Sequence, residues 1–212
     1  MRIVIVLYPR MTALDAVGPY EVLSRLPGAD LVLAGHDRGP VGTDTGMLTL
    51  HADEQLANID TADIVVVPGG PDITDQQNDR RLHEWLRAVD PTTTWTASVC
   101  TGSLILGAAG LLQGRDATSH WLTLDELTKH GAVPKRDRVV RDGKYATAAG
   151  VSAGIDLGLT LAAEIAGPQV AMGIQLAIEY DPEPPFDAGS PGKAPQAVTA
   201  FLKANEQLVL RR

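Results

Sequence analysis

The sequence lacks the features that mark secreted, membrane-spanning or metal-binding proteins. One cysteine in 212 residues excludes an intramolecular disulfide. The apolar run 3–7 is too short for a signal peptide, and no run approaches the about 20 apolar residues of a membrane span. The five histidines are scattered, without a pair at metal-ligand spacing. We therefore expect a soluble, cytoplasmic protein without a metal site.

Aromatic residues are scarce, and positive charges are outnumbered by negative ones. Aromatic side chains make up 4% of the residues, whereas hydrophobic residues as a whole make up 44%. This composition is typical of helices packed tightly on a parallel sheet and not of an aromatic-rich β-sandwich. The net charge of −8 disfavours nucleic acid and anionic membranes as partners. The chain ends soon after its last predicted helix, so we expect no DNA-binding module.

Segments typical of strands and of helices alternate along the chain. Continuous apolar runs predict buried strands, and apolar positions three or four residues apart predict helices. The predicted strands are 3–7, 30–35, 63–67, 95–99 and 117–120, with a hairpin in 139–147 and a strand or hairpin in 41–50; the predicted helices are 14–26, 79–89, 101–109, 121–130, 150–166, 170–180 and 197–209. The alternation predicts an α/β doubly wound fold, with a mostly parallel sheet flanked by helices on both faces, in a single domain over 1–212. The proline-rich stretch 181–195 is predicted to be a loop.

The single cysteine, Cys100, falls where a predicted strand ends and a predicted helix begins. Such a turn exposes a side chain at the carboxyl edge of a parallel sheet. The sequence Ser98-x-Cys100-x-Gly102 has the small-x-nucleophile-x-small form of a nucleophile elbow. The free N–H groups and partial positive charge of a helix amino terminus favour the thiolate, so we expect a lowered thiol pKa. An inert, buried cysteine is the alternative.

Two further turns at the same sheet edge carry candidate partners for the thiol. Gly69 and Gly70 follow a buried strand, and their N–H groups form either an oxyanion hole or a tight turn without a ligand. In the first case the N–H groups of Gly70 and Thr101 flank the thiol. Asp15 follows the turn after the first strand. It is either a surface or helix-capping carboxylate, or a buried general acid–base with a raised pKa.

Two more candidates lie at neighbouring turns. His120 follows the next short strand and is either the histidine of a Cys–His pair or a side chain packed beside Trp121. Val151 belongs to a turn of small residues, 147–152, which either lines the cleft or permits close packing.

Four motifs together resemble the ThiJ/PfpI superfamily, which has the class I glutamine-amidotransferase-like fold. They are 67–70 (VPGG), 98–103 (SVCTGS), 117–121 (ATSHW) and 150–156 (GVSAGID). Two further stretches, 14–21 (LDAVGPYE) and 174–187 (IQLAIEYDPEPPFD), are similar to the isonitrile (isocyanide) hydratase branch of that superfamily. The resemblance covers essentially the whole chain.

This resemblance implies a flavodoxin-like sandwich, a homodimer, and a cofactor-free active site near the dimer interface. It also implies a hydro-lyase reaction in which water converts an isocyanide, R–N≡C, into an N-substituted formamide. From the chemistry of a thiolate and an electrophilic isocyanide carbon, we expect the reaction to pass through a thioimidate on Cys100. By the matching motifs, Cys100 is the nucleophile, Asp15 the acidic partner and general acid–base, and Thr101 the assisting residue. Many superfamily members have Glu in place of Asp15, and some have His directly after the cysteine. These differences weaken a protease-like or glyoxalase-like function.

Three other functions remain as alternatives. One is a cysteine-based glyoxalase or aldehyde-processing enzyme of the same fold, for which His120 is essential. Another is a redox or stress sensor that uses Cys100 without turnover. The third is a ligand-sensing domain similar to those of certain transcriptional regulators, which the acidic charge disfavours.

Overall fold

A seven-stranded sheet is the centre of the computed structural model, which describes residues 1–210. In chain order the strands are β1 (Arg2–Val6), β2 (Asp30–Gly35), β3 (Gly39–Gly42), β4 (Thr49–Ala52), β5 (Glu54–Gln55), β6 (Ile64–Val67), β7 (Trp95–Val99), β8 (Asp116–Ala117), β9 (Val133–Pro134), β10 (Val139–Asp142) and β11 (Tyr145–Ala148). The order across the large sheet is β10-β11-β7-β6-β1-β2-β5, and every pair is parallel except β10 with β11. An antiparallel hairpin of β3 and β4 and a short parallel pair of β8 and β9 lie outside it.

Helices cover both faces of this sheet. They are α1 (Ala13–Leu23), α2 (Thr74–Gln77), α3 (Arg80–Val89), α4 (Gly102–Ala108), α5 (Ala153–Ala166), α6 (Pro168–Ala177) and α7 (Gln196–Ala204), with 3₁₀ segments at Leu56–Asn58, Asp90–Thr92, Leu124–His130 and Glu206–Leu208. From β1 the chain crosses to β2 on one side, whereas from β6 it crosses to β7 on the other. Because such crossovers are right-handed, α1 and α3 lie on opposite faces. Helix α5 packs on α1, and α4 packs on α3, which completes two helical layers. The predicted doubly wound α/β fold is confirmed.

The central strands are buried on both sides, as their apolar sequences predict. Every residue of β6 is buried, and in β1 only Arg2 is partly exposed. The carboxyl ends of β1, β6 and β7 lie side by side because these strands are parallel neighbours. The three turns that follow them therefore meet at one edge of the sheet, where ligands of doubly wound folds bind.

Several predicted elements have different bounds in the structure. The strand predicted at 117–120 is only the two-residue β8, and the helix predicted at 121–130 is a shorter 3₁₀ segment. Gly131, with a φ of +72°, ends that segment in the left-handed conformation, which glycine adopts without strain. The helix predicted from residue 150 begins at Ala153, since the preceding residues form a tight turn.

The carboxyl-terminal region differs from its prediction in the same way. Helix α7 ends at Ala204, where the prediction extends to residue 209, and a 3₁₀ segment follows it. The proline-rich stretch 181–195 is a loop without helix or strand, as predicted. The last two residues of the predicted single domain lie outside the described part of the chain. Within residues 1–210, no helix is long and apolar enough to span a membrane.

Candidate active site

Cys100 lies in a sharp turn between β7 and α4, as predicted. Strand β7 ends at Val99, α4 begins at Gly102, and Cys100 itself has a φ of +58°. This left-handed backbone is uncommon for a residue with a side chain. A side chain at Gly102 would meet the Val67 carbonyl oxygen at 2.1 Å, so only glycine lets α4 start this close to β6. The turn therefore fixes where the thiol emerges from the sheet.

The thiol of Cys100 is buried, and its pKa is raised where the sequence predicted a lowered one. The residue is 5% exposed. Burial raises the thiol pKa well above its ordinary value, and the nearby Asp15 carboxylate raises it further. The N–H groups of Val151 and Thr101 act in the opposite direction by hydrogen bonding to the sulfur. The prediction of a lowered pKa is wrong, because loss of solvation outweighs the helix terminus and these two amides.

Asp15 is fully buried in the first turn of α1, beside the thiol. Its Oδ2 accepts a hydrogen bond of 2.9 Å from the Gly69 N–H. Its Oδ1 is buried and makes no hydrogen bond of ordinary geometry within residues 1–210, and its carboxyl group interacts with the Cys100 thiol. Burial raises the Asp15 pKa to about 7, although the Gly69 N–H and Cys100 favour the charged form. The surface or helix-capping interpretation of Asp15 is wrong, and the raised pKa is confirmed.

Thr101 and the two glycines hold each other in place. The Gly70 N–H donates to Thr101 Oγ1 at 2.8 Å, and the same hydroxyl donates to the Gly70 carbonyl at 2.8 Å. The prediction that the Gly70 N–H flanks the thiol is wrong, because this N–H is bonded to Thr101. The Gly69 N–H is likewise bonded to Asp15. A side chain at Gly69 would lie 2.5 Å from the Thr101 nitrogen, so the close approach of these two turns requires glycine.

His120 is buried near the site, but it does not pair with the thiol. No hydrogen bond joins its ring to Cys100 among the described residues, and its Nδ1 accepts a long contact of 3.4 Å from the Leu122 N–H. A side chain at Gly150 would meet the His120 ring at 2.7 Å, so the ring packs against the turn that carries Val151. Burial lowers the His120 pKa, which favours a neutral imidazole.

A cavity of about 200 Å³ opens beside the thiol. Its lining combines a few polar side chains with apolar ones: Thr12, Asp44, Gly70, Pro71, Cys100, His120, Val151, Val209 and Leu210. The predicted residues Gly70, Cys100, His120 and Val151 thus lie at one cavity, whereas Thr101 and Gly69 are buried beside it and Asp15 reaches it through its contact with Cys100. No group of three or more His, Cys, Asp or Glu side chains that could hold a metal ion occurs in the described chain.

Comparison with known proteins agrees with this geometry. The family model described as DJ-1/PfpI matches residues 1–164. The chain belongs to the DJ-1/PfpI family. An isonitrile hydratase from Pseudomonas putida is 44% identical over 213 aligned residues, which cover 100% of this chain and 93% of that protein.

Two further relatives of this DJ-1/PfpI chain bear on its fold and its alternatives. The crystal structure of a ThiJ/PfpI family protein from Pseudomonas syringae superimposes with a TM-score of 0.95 at 37% identity, covering 99% of this chain and 87% of that chain. The HTH-type transcriptional regulator CdhR of Pseudomonas aeruginosa is 34% identical over 76% of this chain but only 49% of the regulator. The first match extends the likeness in fold to almost the whole chain.

The DJ-1/PfpI site includes residues that the sequence analysis did not single out. Tyr8 is buried, and its hydroxyl donates to the Pro68 carbonyl at 2.8 Å, next to the turn that binds Asp15. Burial raises the Tyr8 pKa, and the charges of Asp15 and Cys100 raise it further, so this phenol stays neutral. Its place directly after β1, at the sheet edge where ligands bind, is the sequence signal that could have identified it. The two lining residues of the carboxyl-terminal segment, Val209 and Leu210, carried no such signal.

Proposed function

We propose that this chain is an isonitrile hydratase, a hydro-lyase that adds water to an isocyanide to give an N-substituted formamide. The observation that carries the proposal is the pairing of the Cys100 thiol with a buried carboxyl group whose pKa is about 7, beside a small cavity. The 44% identity over the whole chain to the P. putida isonitrile hydratase supports it. In this proposal the protein acts as a single-domain, cytoplasmic homodimer and needs no cofactor.

The first half of the reaction forms a bond between sulfur and carbon. The terminal carbon of an isocyanide is electrophilic toward a soft sulfur nucleophile. Because the thiol pKa is raised, the proton of the resting pair is on sulfur, and the Asp15 carboxylate removes it as the sulfur attacks. The protonated Asp15 then delivers this proton to the same carbon. The product is a neutral thioimidate, R–N=CH–S, on Cys100, and Asp15 is again a carboxylate.

The second half adds water and releases the thiol. Asp15 removes a proton from water as the oxygen attacks the thioimidate carbon, and it passes that proton to the nitrogen. The tetrahedral intermediate, R–NH–CH(OH)–S, then loses the sulfur as a leaving group. The hydroxyl proton returns through Asp15 to sulfur, and the formamide R–NH–CHO leaves. One isocyanide and one water are consumed in each cycle.

The neighbouring groups have distinct roles in this proposal. The N–H groups of Thr101 and Val151 stabilise negative charge on sulfur during attack and departure. The Gly69 N–H occupies Asp15 Oδ2, so Oδ1 is the oxygen that accepts and returns the proton. The Thr101 hydroxyl positions the Gly70 backbone and makes no contact with the reacting sulfur in this account.

Formamide production by the purified protein tests the proposal. Wild type, Cys100→Ser, Asp15→Asn and the exposed control Asp60→Asn are mixed with a simple alkyl or aryl isocyanide, and formamide is quantified by chromatography. We expect turnover by wild type and Asp60→Asn and a loss of at least 10³-fold in the two site variants. A folded wild-type protein that makes no formamide from several isocyanides overturns the function. Near-normal turnover by Cys100→Ser contradicts the assignment of Cys100 as the nucleophile.

Observations at the same site also bear on the two alternative functions, aldehyde processing and redox sensing. His120 lines the cavity, which is the one observation that favours aldehyde or glyoxal processing. That function requires turnover of glyoxal that His120→Ala abolishes. A redox sensor needs a thiolate that oxidises readily, and a raised thiol pKa disfavours this chemistry.

A further inference from the structure

The carboxyl-terminal segment supplies part of the wall of the site. Val209 and Leu210 line the cavity that contains Cys100, 58 positions or more beyond Val151, the nearest lining residue in sequence. Leu210 is 4% exposed, whereas Leu208, two residues earlier, is 62% exposed. The hydrophobic core cluster of the described residues does not include Leu210. Its side chain is therefore buried at the wall of this cavity, apart from the main core cluster.

Backbone hydrogen bonds direct this side chain. The N–H groups of Val209 and Leu210 both donate to the Glu206 carbonyl, at 2.9 and 2.6 Å, so the chain turns tightly after the last 3₁₀ segment. No residue of α7 or of that segment is buried. Leu210 is thus the first buried side chain after this stretch, and it is buried at the cavity that contains Cys100.

The cavity has room for a compact apolar group. Its volume of about 200 Å³ compares with the roughly 150 Å³ of an apolar cavity that holds one benzene molecule. Pro71, Val151, Val209 and Leu210 give it apolar walls. The isocyano group has no hydrogen-bond donor, and such walls suit an R group that is itself apolar.

We propose that Leu210, together with Val209, determines which R groups reach Cys100 and restricts them to compact apolar groups of about one ring. This rests on the proposed hydratase function for its substrate class. The restriction itself is a property of access to the thiol, which is measurable without turnover.

Turnover of a compact and a bulky substrate tests this proposal. The ratio of kcat/KM for 2-naphthyl isocyanide to that for tert-butyl isocyanide is measured in wild type, Leu210→Ala, Leu210→Phe and the exposed control Leu208→Ala. We expect Leu210→Ala to raise the ratio roughly tenfold, mainly through KM for the bulky substrate, and Leu210→Phe to lower it. Leu208→Ala leaves it unchanged. A ratio within twofold of wild type in both Leu210 variants overturns the proposal.

Alkylation of the thiol distinguishes a failure of this inference from a failure of the hydratase function. Cys100 is the only cysteine in the chain, so alkylation is specific to it. Rates with iodoacetamide and with the bulkier N-phenylmaleimide are compared by intact mass in folded protein. We expect Leu210→Ala and Val209→Ala each to raise the rate of alkylation by the maleimide, relative to the rate with iodoacetamide, at least fivefold. If wild type lacks hydratase turnover, this fivefold change in relative alkylation rate still supports the role of Val209 and Leu210 in restricting access to Cys100. An unchanged relative rate overturns that role.

Discussion

The Cys100 thiol and the Asp15 carboxyl behave as one acid–base unit. Burial raises the pKa of both groups, the Asp15 carboxylate disfavours a thiolate beside it, and the hydrogen bond with Cys100 favours the carboxylate. Near neutral pH the pair therefore carries at most one negative charge. In the proposed reaction this charge is a carboxylate at rest and moves to sulfur only as the substrate arrives.

The pH dependence of turnover follows from this pair. We predict that kcat/KM falls about tenfold per pH unit as the pH drops below about 7, because Asp15 becomes protonated and no longer accepts the thiol proton. Steady-state rates between pH 5 and 9 measure this. His120→Asn is the matched check, since burial lowers the His120 pKa and its removal leaves the acid limb in place. An acid limb that disappears in His120→Asn contradicts the assignment to Asp15.

The same carboxyl group lowers the stability of the folded protein at high pH. The folded pKa of about 7 is raised above the ordinary 3.8, so the stabilising contribution of Asp15 is complete below about pH 3.8 and is lost as the pH rises through about 7. The difference corresponds to roughly 4 kcal/mol at pH 8. We predict that the free energy of unfolding of Asp15→Asn, measured in urea and relative to that of wild type, rises by roughly 3 kcal/mol between pH 5 and pH 8. The exposed control Asp60→Asn keeps the wild-type dependence, and an identical dependence in Asp15→Asn contradicts the burial argument.

Residues in local motifs, and their meeting at one sheet edge, could be predicted from the sequence, whereas the hydrogen bonds that join them could not. Cys100 was predictable because a strand-to-helix turn is a local pattern of β-prone and small residues. The exchange of hydrogen bonds between Thr101 and Gly70 depends on how two distant turns approach, which no local pattern encodes. The thiol pKa was mispredicted because the burial of Cys100 itself, and the Asp15 carboxylate beside it, are likewise tertiary properties.

At the scale of elements, the turn before α5 is strained and held from outside. Val151 is β-branched and has a φ of +38°, a conformation that costs on the order of 1–3 kcal/mol. Arg138 binds the end of this turn and the first turn of α5: its guanidinium donates to Ser152 Oγ at 3.2 Å, and its Nε donates to Asp156 Oδ2 at 2.8 Å. Tyr180 donates to the same Asp156 oxygen at 3.1 Å. These contacts fix the start of α5 directly after Val151, whose N–H hydrogen bonds to the Cys100 sulfur.

We predict that Arg138→Ala lowers kcat/KM roughly tenfold while the protein stays folded, because a small displacement of the Val151 N–H is costly at the reacting sulfur. The pH dependence of Cys100 alkylation shifts to higher pH in the same variant. Arg141→Ala is the matched control, since Arg141 forms a similar pair with Glu164 at the far end of α5. Equal effects of the two substitutions contradict a positioning role for Arg138.

The long elements were predictable and the short ones were not. Buried strands such as β1 and β6 have continuous apolar sequences that leave little choice. The seven-residue segment Leu124–His130 is a 3₁₀ helix where an α-helix was expected. Over so few residues, repeats of 3.0 and 3.6 per turn place the same apolar side chains on one face, so the pattern does not distinguish them.

At the scale of the whole molecule, α6 presents an apolar face to the outside. Met172 and Leu176 are 58% and 78% exposed, and they lie four residues apart on the same side of the helix. This face suits the homodimer that we propose, because exposed apolar side chains in a group mark interaction surfaces. The contact of Leu210 with the site is also a whole-molecule property, and it was not predictable because it joins segments far apart in sequence.

We predict that wild type elutes with about twice the mass of one chain in size-exclusion chromatography with light scattering, and that Leu176→Glu shifts it toward the monomer. A buried, unpaired carboxylate at a symmetric interface is introduced twice and is unfavourable. Met47→Glu, at a position that is 89% exposed in the β3–β4 hairpin, is the control and keeps the dimer. A monomeric wild type contradicts the proposed assembly.

Covalent catalysis by Cys100 is tested most directly by measuring the mass of the protein during turnover. Wild type is mixed with excess isocyanide, quenched in acid within milliseconds to seconds, and analysed by intact and peptide mass spectrometry. We predict a transient increase equal to the mass of one isocyanide, located on the peptide that contains Cys100 and absent in Cys100→Ser. Rapid formamide production with no adduct on Cys100 at any quench time, together with retained turnover in Cys100→Ser, would contradict covalent catalysis by this residue.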